Sequence, residues 1–463
     1  MTNLAVRILL VIVGMSLGSR VYAQTPQLLD EFGASCKSIS MGQAFTAVAD
    51  DFAAAYYNPA GLSQITSPYE TTFGYFYAKP MAKATFLEGR NIGSNIVEQP
   101  SSHGAIIGMA SSLDVPGLTA PFPWLRPLSF GMVFWLNLPV MLQYHVGPED
   151  YRPHFLRYDK GFAIMSMAIS LSYEITPWLS MGAGVFPSQQ VSSKQEVFMA
   201  LNDSNIIEQI PPYVRLFELD EVIGSRLSLW QEARWTVAPI AGLLLKLPIK
   251  SFRDKVSLGV SYRGENIARH VKGPLTVTIG FENEATGEPI GTEAIRLYFK
   301  FVDFYMLGYV GYQPAQVTAA LAFKNLFPPL KGLAFSFDLT WKDYSEFIDN
   351  YKETPIPPLE DTYVYRTGIE YGVDPGFSIP LLNKISHIAL RGGYYFEPTP
   401  VANMDKAHSH NIYDTDMDVV SGGLQVDFTS RQGRLYHSLE AYYQDSVPLL
   451  NCRTCSPTFF AQP

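Results

Sequence analysis

Residues 333–342 read LAFSFDLTWK, and hydrophobic and polar side chains alternate along this stretch without a break. The first set is Leu333, Phe335, Phe337, Leu339 and Trp341. The second set is Ala334, Ser336, Asp338, Thr340 and Lys342. Strict alternation of this kind predicts a β-strand with one apolar face and one polar face. The apolar face suits lipid or a protein core, whereas the polar face tolerates water.

The same alternation recurs along the chain and is strict in residues 256–263 and 165–174. Other segments have about ten residues, the length that a tilted strand needs to cross a bilayer. They lie at 69–79, 103–113, 127–138, 178–191, 235–247, 270–281, 316–324, 362–372, 386–396, 418–428 and 435–445. We predict about fourteen strands, an even number as in bacterial outer-membrane barrels. In one alternative 256–281 is a single long bent strand, and in another 295–312 adds a strand.

Charged residues in the middle of predicted strands distinguish a barrel from a β-sandwich or a propeller. They are Asp338, Lys342, Arg366, Glu370 and Arg391. In a barrel lumen such charges meet water or each other, whereas two stacked soluble sheets would turn this polar face outward. Longer connections near 80–102, 192–231, 282–294, 343–361 and 397–417 also suit a barrel with unequal loops. We therefore predict an all-β fold, a transmembrane antiparallel β-barrel, although the pattern alone leaves the soluble alternative open.

The first 23 residues have the pattern of a secretory signal peptide. Arg7 precedes an apolar run from Ile8 to Gly18, and the small residues of Val21-Tyr22-Ala23 favour cleavage before Gln24. An uncleaved anchor is the alternative, but the apolar run is too short to span a bilayer. Export of a mature chain is therefore expected.

The composition argues against nucleic acid as a partner. Without Arg7 and Arg20, 32 basic and 43 acidic residues remain, and no clustered basic surface is visible. Aromatic residues make up 13% of the chain, including 27 Tyr and 29 Phe. Membrane barrels use such residues to girdle both interfaces.

A different pattern precedes the first predicted strand, in residues 38–62, SISMGQAFTAVADDFAAAYYNPAGL. Small residues including Gly42, the pair Asp50 and Asp51, and the step Asn58-Pro59-Ala60 predict a compact helix followed by a turn. Asn can hydrogen-bond its own backbone, Pro fixes the chain direction, and Ala allows close packing. An ordinary N-terminal turn is the plain alternative.

This segment resembles the N-terminal hatch of FadL-type outer-membrane transporters, which take up long-chain fatty acids and other hydrophobic compounds. Several later stretches, in the same order, are also similar to that family. They are LSYEITPWLSMGAGV (171–185), VSLGVSYRGENIARHVKG (256–273), LAFSFDLTWKDYSEF (333–347), TYVYRTGIEYGV (362–373) and LRGGYYFEPTPV (390–401). The resemblance implies a hatch at 24–65 inside a barrel formed by 66–448.

The C-terminal segment departs from the family pattern. Residues 449–463 read LLNCRTCSPTFFAQP, whereas the family adds a further strand and ends on an aromatic residue. We treat this segment as an atypical tail, so the sequence does not identify which strand closes the barrel. Cys452 and Cys455 could form a local disulfide, while Cys36 is expected to be a small packed residue.

The resemblance implies passive uptake across the outer membrane of a Gram-negative bacterium. A hydrophobic compound would enter an apolar lumen pocket, the hatch would rearrange, and the compound would leave through a lateral opening in the wall. A fatty acid would need a basic partner for its carboxylate. Lys194 and Lys352 lie near the family's basic positions, with solvated loop lysines as the alternative. Aromatic hydrocarbons such as toluene are the alternative substrates and need no such base.

The implied partners are hydrophobic small molecules, outer-membrane lipid and the barrel-assembly machinery. We expect no cofactor, metal ligand or catalytic residue. An outer-membrane enzyme such as a lipase is the alternative from another class of protein. However, the GxSxG at residues 14–18 lies within the predicted signal peptide, and the sequence contains no HExxH or phosphate-binding loop.

Overall fold

The computed structural model describes a large part of the chain. The described residues are 23–24, 33–65, 69–78, 81–83, 96–98, 102–114, 119–137, 154–155, 165–200, 225–249, 255–269, 273–274, 276–282, 289–290, 305–306, 310–325, 331–347, 358–375, 384–400, 412–413, 416–429 and 436–449. The predicted closing segment after Leu449 lies outside them. No helix among them is long and apolar enough to cross a membrane.

Thirteen of the described strands form one antiparallel sheet in which neighbours in the chain are neighbours in space. In chain order they are β1 (Glu70–Ala78), β2 (Ser102–Ser112), β3 (Leu128–Asn137), β4 (Met165–Thr176), β5 (Leu179–Ala200), β6 (Ser225–Lys246), β7 (Val256–Arg263), β8 (Ala315–Lys324), β9 (Leu333–Asp343), β10 (Thr362–Val373), β11 (Lys384–Glu397), β12 (Asp416–Thr429) and β13 (Tyr436–Leu449). The predicted antiparallel all-β fold is confirmed.

Shorter strands accompany this sheet. Asn266–Arg269 pairs with Val310–Gln313 directly beyond the β7–β8 pair, and Val310–Gln313 also pairs with Ala23–Gln24. The remaining short pairs are Met81–Lys83 with Ile96–Glu98, His154–Phe155 with Ile412–Tyr413, and Gly273–Pro274 with Tyr305–Met306. Short α-helices α1 (Cys36–Ser40) and α2 (Ala54–Tyr57) and 3-10 helices Pro59–Gln64 and Pro123–Leu125 complete the elements discussed below.

Two details differ from the sequence prediction. The segment predicted at 270–281 is not a strand between β7 and β8, because Thr276–Glu282 pairs in parallel with β5 and antiparallel with Pro289–Ile290. The connection predicted at 192–231 is shorter, because β5 and β6 stay paired from Leu179↔Leu245 as far as Met199↔Ser225. Continued cross-strand pairing, which a single-strand pattern does not reveal, accounts for both differences.

The two ends of the sheet differ in the length of their connections. At the end where β1 begins, the connections run from two residues (177–178) to fifteen residues (113–127). At the other end they run from eighteen residues (344–361) to 51 residues (264–314). This alternation is typical of outer-membrane barrels, where short turns face the periplasm and long loops face outward.

The two outermost strands of the path, β1 and β13, run in the same direction because thirteen antiparallel strands alternate between them. Among the described residues these two strands are not paired with each other. The exact number of strands, predicted as about fourteen, therefore stays a prediction.

The sheet has the reverse polarity of a soluble protein, because its large apolar side chains point away from the interior. In β9, Phe337 is 48% exposed while its neighbour Asp338 is 1% exposed. In β10, Tyr365 is 48% exposed and Arg366 only 6%. A soluble domain buries its large apolar residues, whereas a membrane barrel presents them to lipid.

The interior is filled by residues 33–65. Phe45, Val48, Phe52, Tyr56 and Leu62 of this segment are buried in one apolar cluster. The same cluster includes the strand residues Phe76, Val133, Trp135, Phe186 and Ile240. The ring of Phe76 stacks on that of Trp135 with 4.6 Å between centroids. The N-terminal segment and the sheet thus share a single core.

Candidate functional site: the buried N-terminal segment

We call residues 33–65 the inner segment, and its first turn is fixed by local hydrogen bonds. Ser35 Oγ accepts from the Ser38 backbone N–H at 3.1 Å, and Ser38 Oγ accepts from the Ser35 backbone N–H at 3.0 Å. This reciprocal capping box begins α1. Helix α1 is only five residues long, so the surrounding sheet must supply the rest of its stability.

Gly42 follows α1 and lies against the wall of the sheet. Its φ of +60° is in the left-handed region that favours glycine. Its backbone N–H donates to Ser421 Oγ of β12 at 3.0 Å. A Cβ at Gly42 would lie 2.5 Å from the backbone nitrogen of Tyr394 in β11. Both conformation and space therefore require glycine here.

Asn58 joins three parts of the structure. Its Oδ1 accepts from the Ala60 backbone N–H at 3.2 Å and caps the 3-10 helix Pro59–Gln64. Its Nδ2 donates to the carbonyl of Thr46 at 2.8 Å within the inner segment. The same Nδ2 donates to the carbonyl of Leu243 in β6 at 3.1 Å. The fully buried amide thus links the turn, the inner segment and the wall.

Asp338 of β9 also anchors the inner segment. Its Oδ2 accepts from the backbone N–H groups of Phe45 at 3.2 Å and Thr46 at 2.9 Å. Hydrogen bonds to a carboxylate are stronger than those between neutral groups. Sequence reasoning placed Asp338 on the inward face but missed these partners, because the signal was only a charge in the middle of a strand.

Serine side chains of the wall add further contacts. Ser170 Oγ in β4 donates to the carbonyl of Ala55 at 2.7 Å. Ser63 Oγ donates to Ser180 Oγ in β5 at 2.8 Å. Since an unpaired buried carbonyl is costly, these hydroxyls stabilise an irregular backbone inside the sheet.

An ion-pair chain ties the inner segment to three strands. Lys37 Nζ lies 2.8 Å from Asp50 Oδ1 and 3.6 Å from Glu370 Oε2 of β10. Lys324 Nζ of β8 lies 3.0 Å from Asp50 Oδ2. Arg391 Nε of β11 lies 2.6 Å from Glu370 Oε2. Every link joins opposite charges, so the chain adds charge-assisted contacts to the apolar packing.

The adjacent carboxyls Asp50 and Asp51 have opposite environments. Burial alone would raise the pKa of Asp50, but Lys324 and Lys37 outweigh it and hold that pKa below its ordinary range. Burial, with the negative charges of Glu70 and Asp50, raises the pKa of Asp51 to about 8. Asp51 Oδ1 accepts from the Ala53 backbone N–H at 2.7 Å. Asp50 is therefore an ion-pair partner, whereas Asp51 accepts a hydrogen bond within the turn that precedes α2.

The thiol of Cys36 has low reactivity. Burial, with the nearby charges of Glu440 and Asp51, raises its pKa to about 12. Because the thiolate is the reactive form, this cysteine has low nucleophilicity at neutral pH.

Glycines of the wall make room for the inner segment. A Cβ at Gly259 would lie 2.6 Å from the carbonyl oxygen of Thr46, and one at Gly368 would lie 2.5 Å from that of Met41. A Cβ would also meet the inner segment at Gly108, Gly131, Gly182, Gly242, Gly393 and Gly423. Glycine in a strand often marks close approach of another backbone. These glycines are visible in the sequence, but strand prediction from alternation does not use them as a sign of close contact.

The predicted residues fall into two groups. Gly42, Asp50, Asp51, Asn58, Pro59 and Ala60 all lie in the inner segment. Lys194 lies in β5 opposite Trp230, and the position of its side chain is outside the description. Lys352 is outside the described residues. Within the described ranges, no group of three or more His, Cys, Asp or Glu residues could hold a metal ion.

Comparisons with known proteins address the fold. The sequence matches no protein-family model and no curated protein. The crystal structure of a Pseudomonas aeruginosa FadL homologue matches with a TM-score of 0.51 and 13% identity, over 93% of this chain and 91% of that chain. The CymD monoaromatic hydrocarbon channel matches at a TM-score of 0.42 and 14% identity, over 91% of this chain and 95% of that one. The Ralstonia pickettii toluene transporter TbuX matches at the same TM-score and identity, over 89% of this chain and 97% of that one. On the first of these matches, the chain shares the antiparallel β-barrel fold of FadL-type transporters.

Proposed function

We propose that this chain is an outer-membrane channel for passive uptake of hydrophobic compounds, in which residues 24–65 form the hatch. Long-chain fatty acids are the proposed substrates, and aromatic hydrocarbons such as toluene are the alternative by the same route. The observation that carries the proposal is the inner segment, buried within a sheet whose large apolar side chains face outward.

The reversed polarity supports a place in a membrane, because exposed Phe337, Tyr365 and their equivalents would be unfavourable in water. A wide barrel without a plug would leak water and solutes. The burial of the inner segment within the sheet supports a role as such a plug, and its contacts are of a kind that can break and form again.

The anchors suggest how the hatch is held in the resting state. Asn58 of the inner segment donates to the Leu243 carbonyl of β6, Asp338 of β9 accepts from the Phe45 backbone N–H, and Asp50 pairs with Lys324 of β8. Net energies of about 0.5–1.5 kcal/mol for a neutral hydrogen bond and about 1.5–3 kcal/mol for one to a charged group allow such contacts to exchange without unfolding the wall. In the proposed cycle, a hydrophobic compound displaces part of this packing and leaves sideways towards the membrane down its gradient.

Uptake in a bacterial host that lacks its own hydrophobic-compound channels tests the proposal. Cells producing the chain should take up radiolabelled oleate faster than cells with an empty vector, and toluene uptake measured in parallel identifies the alternative. Uptake of both compounds at the empty-vector rate, with the protein present in the outer membrane, would contradict the proposal.

The role of the two lysines is tested in the same assay. Lys194→Met and Lys352→Met should each slow oleate uptake and leave toluene uptake unchanged, because only oleate carries a carboxylate. Unchanged oleate uptake in the double variant would remove both lysines from the proposed carboxylate site.

A further inference from the structure

The two outermost strands of the sheet, β1 and β13, leave part of the interior accessible between them. In the middle of the sheet, inward-facing side chains such as Asp338 in β9 and Val364 in β10 are buried. The inward faces of the two outermost strands are only half-buried, at Glu70, Thr72 and Gly74 of β1 and at Glu440, Tyr442 and Gln444 of β13. We call these six residues, with the space between the two strands, the seam.

The outward faces of the same two strands are unusually exposed. Phe73 of β1 is 75% exposed and Tyr443 of β13 is 61% exposed. By comparison, Phe337 and Tyr365 are each 48% exposed, and their strands have neighbours on both sides. A strand with a neighbour on one side only leaves the other flank of its side chains uncovered. The exposure therefore agrees with the absence of pairing between β1 and β13 among the described residues.

Gly74 shows that the inner segment does not cover the seam at this height. It faces inward in β1, and a Cβ built on it would meet only Ile106 of the paired strand β2, at 3.7 Å. At Gly259 and Gly368, which face inward in β7 and β10, a Cβ would instead meet the inner segment. The inward face of β1 therefore borders open space where these other strands border packed backbone.

The inner segment approaches both sides of the seam at the end where β1 begins. Asp51 lies within reach of the charges of Glu70 in β1 and Glu440 in β13, and these two glutamates also lie within reach of each other. Like charges disfavour close approach of the two strands at this end. Helix α1 packs on β12 and β13, whereas the 3-10 helix Pro59–Gln64 packs on β3, β4, β5 and β6. Among the described residues, the inner segment thus bridges the two halves of the wall that the seam separates.

We infer that a hydrophobic compound leaves the barrel through the seam between β1 and β13, an inference that rests on the proposed function. Beyond the glutamates, Tyr442 packs on the apolar core from inside, and Phe73 and Tyr443 are exposed outside. An apolar compound therefore meets aromatic side chains on its way from the core to the lipid. Passage between two neighbouring strands elsewhere in the described sheet would break the hydrogen bonds that pair them. At the seam, movement of the inner segment is enough.

A cross-link between the outward faces of the two strands tests the exit without entering the lumen. Phe73→Cys/Tyr443→Cys places each thiol three residues beyond the glutamate of its own strand. The control Phe335→Cys/Ile369→Cys joins directly opposite, outward-facing positions of the paired strands β9 and β10. Both pairs are made in a chain whose three native cysteines are replaced by serine. A lipid-soluble, reducible bifunctional thiol reagent is then applied to cells that take up oleate or toluene.

We predict that uptake of both compounds falls to the empty-vector rate when the seam pair is cross-linked, recovers on reduction, and is unchanged in the control. Thr71→Cys/Ala441→Cys, at two smaller outward-facing residues of the same strands, should give the same block and keeps the test valid if the larger substitutions impair folding.

Undiminished uptake through a fully cross-linked seam would overturn the assignment of the exit, and so would an equal loss of uptake in the control. Failure of both seam pairs to cross-link in folded protein would show that another strand separates β1 from β13, which also overturns it. In each of these cases hydrophobic uptake itself stands. If cells producing the wild type take up neither oleate nor toluene, the proposed function fails.

Discussion

Replacing Asn58 should release the inner segment, and the structure gives the size of the effect. Asn58→Ala removes a helix cap worth about 1 kcal/mol. It also removes two neutral hydrogen bonds, to Thr46 and Leu243, each worth about 0.5–1.5 kcal/mol. The cap and the Thr46 bond lie within the inner segment, so only the Leu243 bond links it to the wall. Its loss of about 0.5–1.5 kcal/mol corresponds to a rise of about twofold to tenfold in the fraction of displaced segments, and the other two losses loosen the segment itself. Single-channel recordings in planar bilayers should show this as more frequent brief openings.

Asn58→Asp separates the cap from the link to the wall. Aspartate caps a helix as well as asparagine does. However, its carboxylate would face the carbonyls of Thr46 and Leu243, to which Asn58 Nδ2 now donates. Because a buried carboxylate beside two acceptors is strongly unfavourable, Asn58→Asp should open more often than Asn58→Ala. Wild-type behaviour of Asn58→Asp would refute the proposed link between turn and wall.

Two further predictions concern packing and pH. Gly368→Ala should destabilise docking of the inner segment by about 1–3 kcal/mol, because the added Cβ meets Met41. In the control Gly392→Ala the Cβ would lie 3.5 Å from Ile369 Cγ2, so the docking free energy should change by less than about 0.5 kcal/mol. Hydrogen exchange of residues 41–49 measures docking in both variants, and equal protection of these amides in the two would contradict the packing argument. Because burial in the docked segment raises the pKa of Asp51 to about 8, the protonated carboxyl favours docking. Docking should therefore weaken as the pH rises from about 4, the ordinary pKa of aspartate, through 8. Asp51→Asn should reduce this slope in the same exchange measurement, and an unchanged slope would assign it to other carboxyls.

Much of the wall could be predicted from side-chain alternation. The faces of 333–342 are those of β9, with Phe335 exposed and Ser336 buried. Charges in the middle of strands also predicted an interior for Arg366 and Asp338, since period two fixes which side chains share a face. The ends of the strands were harder to predict, because the β5–β6 pairing continues through residues whose own alternation is weak.

The site was less predictable, because its contacts join residues far apart in sequence. Asp338 and Thr46 are 292 positions apart, and no local pattern signals that hydrogen bond. The polar character of Asn58 was visible, but its link to Leu243 depends on how the inner segment lies in the sheet. Arg263 was assigned only to a strand, since its position above Tyr56 exists only after folding.

The central claim is that the inner segment must move for a compound to pass. Ser63 Oγ and Ser180 Oγ are 2.8 Å apart, so cysteines at both positions bring two sulfurs within bonding reach and can fasten the inner segment to β5. The most direct measurement is oleate uptake by cells producing Ser63→Cys/Ser180→Cys, before and after reduction, beside the single variant Ser180→Cys. We predict that uptake is blocked when the double variant is oxidised, recovers on reduction, and is unaffected by the redox state in the single variant. Wild-type uptake through a fully cross-linked protein would contradict the claim.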